Sequence, residues 1–313
     1  MNDPAHDIDV LVLGDARPDL TLRGGDLQVA FDVRERRVDL ATLSLGGSGA
    51  ITARGLARLG LRTGFIGVVG DDPFGRFASE ELRRVGVDVS RTATDPSRPT
   101  GVRAVLSRGS ERSFLTAPGT SGDLRLELVD IDLVRRARHV HIASYFIQAG
   151  LQRELPELLE LVKEGGGTTS IDPNDDPADR WDGGLLTMLD RVDVFFANSA
   201  EVRRITGIDD IDVASESLAE RGSILAVKFG QGGGMVLQGE EMIHREAVAV
   251  DIVDKTGAGD SFDAGFLAGF LAGWPLERCL RLAIVCGSLS MRATGGIDGQ
   301  PTMEEALAAL GEA

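Results

Sequence analysis

Hydrophobic and polar positions follow two rhythms along this chain. Asp9–Gly14, "DVLVLG", is a short continuous apolar run closed by glycine, the pattern of a strand buried on both faces. Leu20 to Thr42 is different: alternating, charged and β-rich, with "RGGD" as a turn, it predicts exposed strands or hairpins. In "GGSGAITARGLARLG" (46–60) the residues Ile51, Leu56 and Leu59 fall on one helical face, and Gly60 is placed to cap the helix. "TGFIGVVG" (63–70) predicts another buried strand and "FGRFASEELRRVG" (74–86) another helix. Strand and helix thus alternate in βαβ fashion.

That alternation breaks at 98–118. "TGVRAVLSRGSERSFLTAP" predicts two strands joined by a turn at Gly109-Ser110. Then it resumes. Strands are predicted at 139–144, 168–172, 192–198 and 223–230, with 234–238 and 246–254 as a pair. Helices are predicted near 151–164, 199–206 and 213–221, then over 260–272, 276–293 and 303–310. There are no repeats and no low-complexity linker. The chain therefore reads as a single α/β domain over 1–313, interrupted by β insertions at about 15–45 and 97–118. Two insertions of one type are expected to meet as a small sheet. Placed over the C-terminal edge of the main sheet, where open α/β sheets bind ligands, it would form a lid.

The composition narrows the partners. Of 313 residues, 42% are hydrophobic and 26% charged, the balance of a globular protein. The net charge of −16 repels nucleic acid and anionic membranes, so neither is an expected partner. A phosphorylated ligand would have to be held by local N–H groups, a metal and a few basic residues. Cys279 and Cys286 form neither CxxC nor a metal spacing and read as buried thiols in a reducing compartment. The opening "MNDPAHDIDV" is not a signal peptide, and no apolar run reaches the length of about 18 residues that spans a bilayer. The expected location is the cytoplasm.

The chemistry concentrates in Val253–Gly269, "VDKTGAGDSFDAGFLAG". A strand over 246–254 would lead through "KTGAG" into a helix whose first turn holds Asp260. Phe262, Phe266 and Phe270 share one face of that helix, and Gly265, Gly269 and Gly273 another, so the helix is apolar nearly all round and buried. Its N-terminus at a glycine turn is a fixed positive partial charge that suits a phosphate oxygen. Asp260 then has two readings. It is an ordinary first-turn acid stabilised by the helix dipole, or it is a base that takes the proton of an attacking alcohol beside the phosphoryl group. The segment is not a P-loop, because Gly-Lys-Ser/Thr does not occur, and GxGxxG fails at Asp260-Ser261-Phe262.

"DKTGAGDSFDAGFLAG" resembles the signature of the ribokinase-like (PfkB) carbohydrate kinase family, usually D-T-x-G-A-G-D. "LGGSGAITARGLARLG" resembles the family's first signature, and "GVVGDDPFG" (67–75) its usual sequel. "ANSAEVRRITG" (197–207) resembles its N-x-x-E segment, and "VKFGQGGGMV" (227–236) its nucleotide-binding strand and loop. These motifs run in order over nearly the whole chain. The resemblance implies a three-layer α/β/α domain with a mostly parallel central sheet and a small β-sheet lid, which often forms a homodimer contact. It implies an ATP-dependent kinase acting on a hydroxyl of a small sugar or sugar-like molecule. Asp260 would be the base, with Gly257, Ala258 and Gly259 as anion hole. Asp19, Gly46 and Gly47 would contact substrate. Asn198 and Glu201 would organise Mg²⁺ and phosphates through water, and Lys228, Gly230 and Gly233 would meet the nucleotide. Asp254 matches the family's monovalent-cation site, usually filled by K⁺.

Each of these has a plainer reading: Asp19 as a turn acid, Gly46 and Gly47 as a helix-entry turn, Asp254 as a strand-end acid, Lys228 as a sheet-edge lysine. Asp172 and Asn174 lie either on the phosphate path or in an Asx turn. His139 and His141 alternate along a strand with no third metal ligand in view, which favours structural roles. Arg103 and Arg112, in the lid hairpin, either neutralise a phosphate or solvate the lid. One departure stands out. Five residues after Gly46, where the family usually has a substrate-contacting Asn, this chain has Ile51. A buried hydroxyl left without a partner there costs about 1–3 kcal/mol, so the substrate is expected to be less hydroxylated, or apolar, at that point. Two rivals remain: a nucleoside kinase on the same scaffold, which the scarce lid aromatics (Phe31 and Phe114) disfavour, and a non-catalytic sugar or nucleotide sensor, which Asp260 and its glycines disfavour.

Overall fold

A computed structural model describes residues 7–25, 35–108 and 111–312. Phe31, the Gly109-Ser110 turn and the last residue of "RGGD" lie outside them.

The apolar runs form one eight-stranded sheet. From edge to edge its strands are Glu241–Arg245, Gly234–Gln238, Ile224–Lys228, Val194–Asn198, Thr168–Ile171, Ala137–Ile142, Ile8–Leu13 and Thr63–Ile66. The six from Thr63–Ile66 to Ile224–Lys228 are parallel, and the last two add antiparallel. Ile8–Leu13 shows why its pattern is a continuous run rather than an alternation. Val10 and Val12 pack into the core on one face, Leu11 and Leu13 into the core on the other, and all four are fully buried. One face is covered by the helices Ser48–Arg58, Pro73–Arg84, Ala258–Leu271, Leu276–Ser290 and Met303–Leu310. The other is covered by Leu155–Glu164, Ser199–Thr206 and Ile211–Ala219. This is a three-layer α/β/α fold.

Arg17–Arg23, Leu40–Gly46, Val102–Arg108 and Glu111–Ala117 form a separate four-stranded sheet. Its register stacks residues in rows. Thr116, Arg103, Asp19 and Ser44 form one row; Leu115, Ala104, Leu20 and Leu43 form the next. Successive side chains point to opposite faces, so the first row faces the central domain and the second faces away. Leu43 and Leu115 are accordingly 44% and 57% exposed.

Two predicted strands differ. Residues 63–70 are not one strand: Thr63–Ile66 joins the central sheet, while Val68–Gly70 pairs with Ala93–Asp95 in a small sheet of its own. The chain changes partners at Gly67, whose carbonyl accepts the Ala93 N–H. Residues 246–254 pair with no strand. The edge strand ends at Arg245, and the segment after it runs over the surface towards the N-terminus of Ala258–Leu271, with Val248, Ile252 and Val253 exposed. Its apolar alternation has no ladder beneath it; the N–H groups of Val253 and Asp254 donate instead to the Met291 carbonyl.

His139 and His141 are fully buried under the helix layer. Both ring nitrogens of His139 pair with Thr168 and Ser170, Nδ1 of His141 pairs with Ser170, and the two rings meet Phe270 and Phe196 edge-on. Burial holds both imidazoles below their usual range, His141 at about 4, so they stay neutral. Cys279 and Cys286 are free and buried, and burial pushes their thiols up to about 11 and about 12. Among the described residues, no helix is long and apolar enough to cross a membrane.

Candidate active site

The parallel strands end together, and their C-terminal ends carry Asp15, Asp172, Asn198 and Lys228. The helices Ser48–Arg58 and Ala258–Leu271 pack against each other with both N-termini at this edge. Between them and the small sheet lies a cavity of about 820 Å³. Ser48 and Asp260, each in a first helical turn, meet there: the Ser48 hydroxyl donates to Asp260 Oδ1. The helix at Ala258 has no side-chain cap; the Ala258 N–H reaches only the Lys255 carbonyl, at 3.4 Å, and Gly257, Gly259 and Asp260 of this first turn line the cavity. Gly257 before it is left-handed, with φ 71°. A Cβ at Gly257 would lie 2.8 Å from the Gly296 carbonyl and 3.0 Å from Ile51 Cγ2, so a side chain would break the turn. Ile51 therefore packs directly on the glycine turn.

Asp260 is the centre of a charged cluster. The Asp172, Asp260 and Asp263 carboxylates offer oxygens within 4.8 Å of one another. Lys228 Nζ donates to Asp172 Oδ2 and, at 3.1 Å, to both oxygens of Asp263. Burial pushes Asp260 up to about 7, and the Asp172 charge adds to that, against the Ser48 hydrogen bond and Lys228. Burial also pushes Asp172 up, but the Lys228 charge, together with hydrogen bonds from Lys228, Asp263 and the Asn174 N–H, outweighs it and holds that carboxyl below the usual range, at about 2. Asp263 is held well above it by burial. Lys228 thus stays charged, with Asp172 as its ionised partner, and Asp260 is poised near neutrality.

Asn198 and Glu201 form a capping box on the helix Ser199–Thr206. The Asn198 side chain accepts the Ala200 and Glu201 N–H groups at 2.9 and 3.0 Å; Glu201 Oε2 accepts the Asn198 N–H at 2.7 Å, and Oε1 the Asn198 side-chain amide. Both residues line the cavity. Burial pushes Glu201 up to about 7, with the Asp172 charge adding to it. A carboxylate so placed fits a divalent cation reached through water, since each oxygen already accepts one internal hydrogen bond.

The small sheet supplies the opposite wall. Arg17, Arg103, Arg112 and Phe114 line the cavity from it. Asp19 lies behind them, buried, with Arg17 Nε at 3.6 Å and Arg103 at 3.9 Å. Burial raises its carboxyl against the pull of both guanidiniums. Gly46 makes this possible: a Cβ there would sit 2.3 Å from Asp19 Oδ1. Arg112 crosses to the central domain and donates to Asp254 at 2.5 Å and to Thr256 Oγ1 at 3.3 Å.

The expected site residues are largely brought together. Gly47, Asn198, Glu201, Lys228, Gly230, Gly257, Gly259 and Asp260 line the large cavity, with Asp172 and Asn174. Ala258 and Gly233 line a smaller one of about 80 Å³ that shares Lys228, Gly230 and Gly259 with it. Asp19, Gly46 and Asp254 line neither. Asp254 is engaged on both oxygens, by Arg112, Thr256 and Gly295, which fits a monovalent cation at that carboxylate poorly. Lys228 is not a free sheet-edge lysine, being locked between two carboxylates. Sequence reasoning passed over Ser48, Asp263 and Arg17. The signals were present: Asp263 follows Asp260 at helical i+3 spacing, and Arg17 alternates with Asp19 along one strand face.

A family model described as pfkB family carbohydrate kinase matches residues 7–303. A fructokinase of Klebsiella pneumoniae is 35% identical over 83% of this chain and 90% of its own length. An ATP-dependent ribose-1-phosphate kinase of Halopiger xanaduensis is 32% identical over 97% of this chain and 98% of its own. Among solved structures, adenosine kinase from Sinorhizobium meliloti superposes with a TM-score of 0.85 at 28% identity, covering 98% and 99% of the two chains. An Escherichia coli protein assigned as a ribokinase II, in complex with ATP and Mg²⁺, does so with a TM-score of 0.87 at 25% identity, covering 98% and 100%. Motif, fold and relatives agree over the same span, and the chain belongs to the pfkB family of carbohydrate kinases, enzymes that transfer a phosphoryl group to an alcohol.

Proposed function

We propose that this kinase transfers a phosphoryl group from ATP to a hydroxyl of a small sugar or sugar-like molecule, with Asp260 as general base. The observation that carries this reading is the placement of Asp260 beside the uncapped glycine turn of a buried helix, facing a cavity walled by the small sheet. Base and anion hole are then adjacent, as in-line attack requires. Asp260 takes the hydroxyl proton. Ser48 fixes the rotamer of the carboxylate that receives it. The N–H groups at Gly257–Gly259 hold the oxygens of the phosphoryl group in transit, with the helix dipole behind them. The Asp172–Lys228–Asp263 cluster holds the floor of the site rigid.

The nucleotide fits between Gly230 and Gly233 and the smaller cavity, whose wall includes Phe262, Ile284 and Met291. Asn198 and Glu201 are the residues that would hold Mg²⁺ through water; when bound, it neutralises phosphate charge. The Escherichia coli neighbour, which holds ATP and Mg²⁺, supports the use of this nucleotide and metal. No step is given to K⁺, because Arg112 occupies the Asp254 carboxylate. The small sheet is read as a lid that excludes water from the transfer. Its outward apolar row is read as a homodimer contact.

A nucleoside kinase is the second reading, favoured by the adenosine kinase neighbour. Against it, Phe114 is the only aromatic side chain among the described residues of the large cavity. ADP release with Mg²⁺-ATP and a panel of ketohexoses, pentoses, sugar acids, sugar phosphates and nucleosides tests the choice. Release with nucleosides alone would overturn the sugar reading, and release with none of them would overturn both.

A further inference from the structure

The cavity wall on the lid side carries arginines whose buried donors are not all met. In a chain of net charge −16, Arg17, Arg103, Arg112 and Lys255 all line the large cavity. Arg112 is committed to Asp254. The side chain of Arg17 is only 4% exposed; its NH1 reaches Asp15, while its Nε has no hydrogen-bond partner. Arg103, on the adjoining strand and in register with Asp19, has a buried Nε that is equally unpartnered, and its guanidinium lies over the Phe114 ring. The acids nearby pair with these guanidiniums in charge but leave both Nε donors without a hydrogen bond. Asp15 is taken up by Arg17 NH1, Ser144 and Gly49, and Asp19 stands at 3.6 and 3.9 Å, beyond hydrogen-bond reach. Buried charged donors left unmade cost more than neutral ones, so this wall is built to meet an acceptor of high charge.

Resting on the kinase reading above, we propose that the acceptor substrate carries an oxyanion substituent, a phosphate monoester or a carboxylate, which docks on Arg17 and Arg103. Guanidinium forks match both groups in two-point fashion. Ile51 faces a part of the molecule that needs no hydrogen bond. The substrate class is an acidic or already phosphorylated sugar, and the enzyme must follow a step that makes one.

The test uses the full chain and two readouts. Calorimetric titration with D-ribose 1-phosphate, 2-dehydro-3-deoxy-D-gluconate, D-ribose and D-fructose reads binding. ADP release with the same four reads turnover. We expect at least one anionic sugar to exceed the neutral ones roughly tenfold or more in affinity and in kcat/KM, the scale of one charged hydrogen bond. The two anionic arms separate phosphate from carboxylate. In Arg103→Gln that selectivity should fall by roughly the same factor, with part of it kept in Arg103→Lys. Neutral sugars preferred, or selectivity unchanged in Arg103→Gln, would overturn the inference while ADP release leaves the kinase reading standing. Anion binding that depends on Arg103 without any ADP release would uphold the inference and sink the kinase reading.

Discussion

Ser48 and Asp260 lie 212 positions apart in the chain and share one hydrogen bond, hydroxyl to carboxylate, between the first turns of two packed helices. The bond favours the ionised carboxylate, while burial and Asp172 oppose it. The outcome is an acid poised near neutral pH, where a general base is most effective.

Asp260→Asn keeps the shape and removes the base. Turnover should fall by about 10²–10⁴-fold, the usual worth of a positioned base. The fold should hold or gain slightly, since a buried charge is lost. Steady-state ADP release and a thermal melt measure the two effects, and near-normal turnover would sink the mechanism.

The base works only when ionised, so kcat/KM should rise with pH through about 7 and level off above it. Two variants should move that limb in opposite directions. Ser48→Ala removes a hydrogen bond to the carboxylate, which raises its pKa and shifts the limb to higher pH. Asp172→Asn removes a like charge and leaves Lys228 less screened, which shifts the limb to lower pH. A pH–rate profile of each variant reads the sign; shifts in the same direction would refute this account of the site.

Arg112 ties the small sheet to Asp254 and Thr256, just before the glycine turn. Arg112→Ala leaves Asp254 buried with two backbone N–H partners and no countercharge. Since Arg112 is partly exposed, a cost of about 1–3 kcal/mol is expected rather than the full penalty of a broken buried pair. If the sheet is a lid, its loosening should admit water. ADP release without any sugar should then rise relative to sugar-dependent release, as a coupled assay would show.

Much of this was legible in the sequence. The βαβ alternation, the all-round apolar helix at Phe262–Phe270 and the glycine turn before Asp260 are local signals. One segment misled for a physical reason. Residues 246–254 have the alternation of a strand, but pairing depends on a neighbour, and the sheet had already ended at Arg245. The motif at Asn198 and Glu201 carries a second use that the sequence reading did not name: the same spacing is a capping box, and the two residues also line the cavity. The Asp172–Lys228–Asp263 cluster was hidden because its members come from three distant elements and meet only when the strands align.

The outward row Leu43, Leu20, Ala104, Leu115 crosses all four strands of the small sheet. Such a row is an association surface when a second copy covers it. Leu115→Glu should convert a dimer to a monomer in sedimentation at micromolar concentration. A wild-type chain that is monomeric under those conditions would remove this reading of the sheet.

Ile51 is 3% exposed, lines the cavity and touches the glycine turn. Ile51→Asn places the family's usual amide there, and two effects should separate. Burying an amide against Gly257, where a methyl group had packed, should cost about 1–3 kcal/mol and lower the melting temperature. The same amide offers a hydrogen bond to a hydroxyl that Ile51 cannot meet. Relative kcat/KM should therefore move towards acceptors hydroxylated at that point, by roughly tenfold per hydrogen bond gained. Competition between D-fructose and a deoxy analogue, run on both proteins, reads that ratio free of enzyme concentration. A melting temperature that falls with no change in the ratio would mean that Ile51 packs the turn and selects nothing.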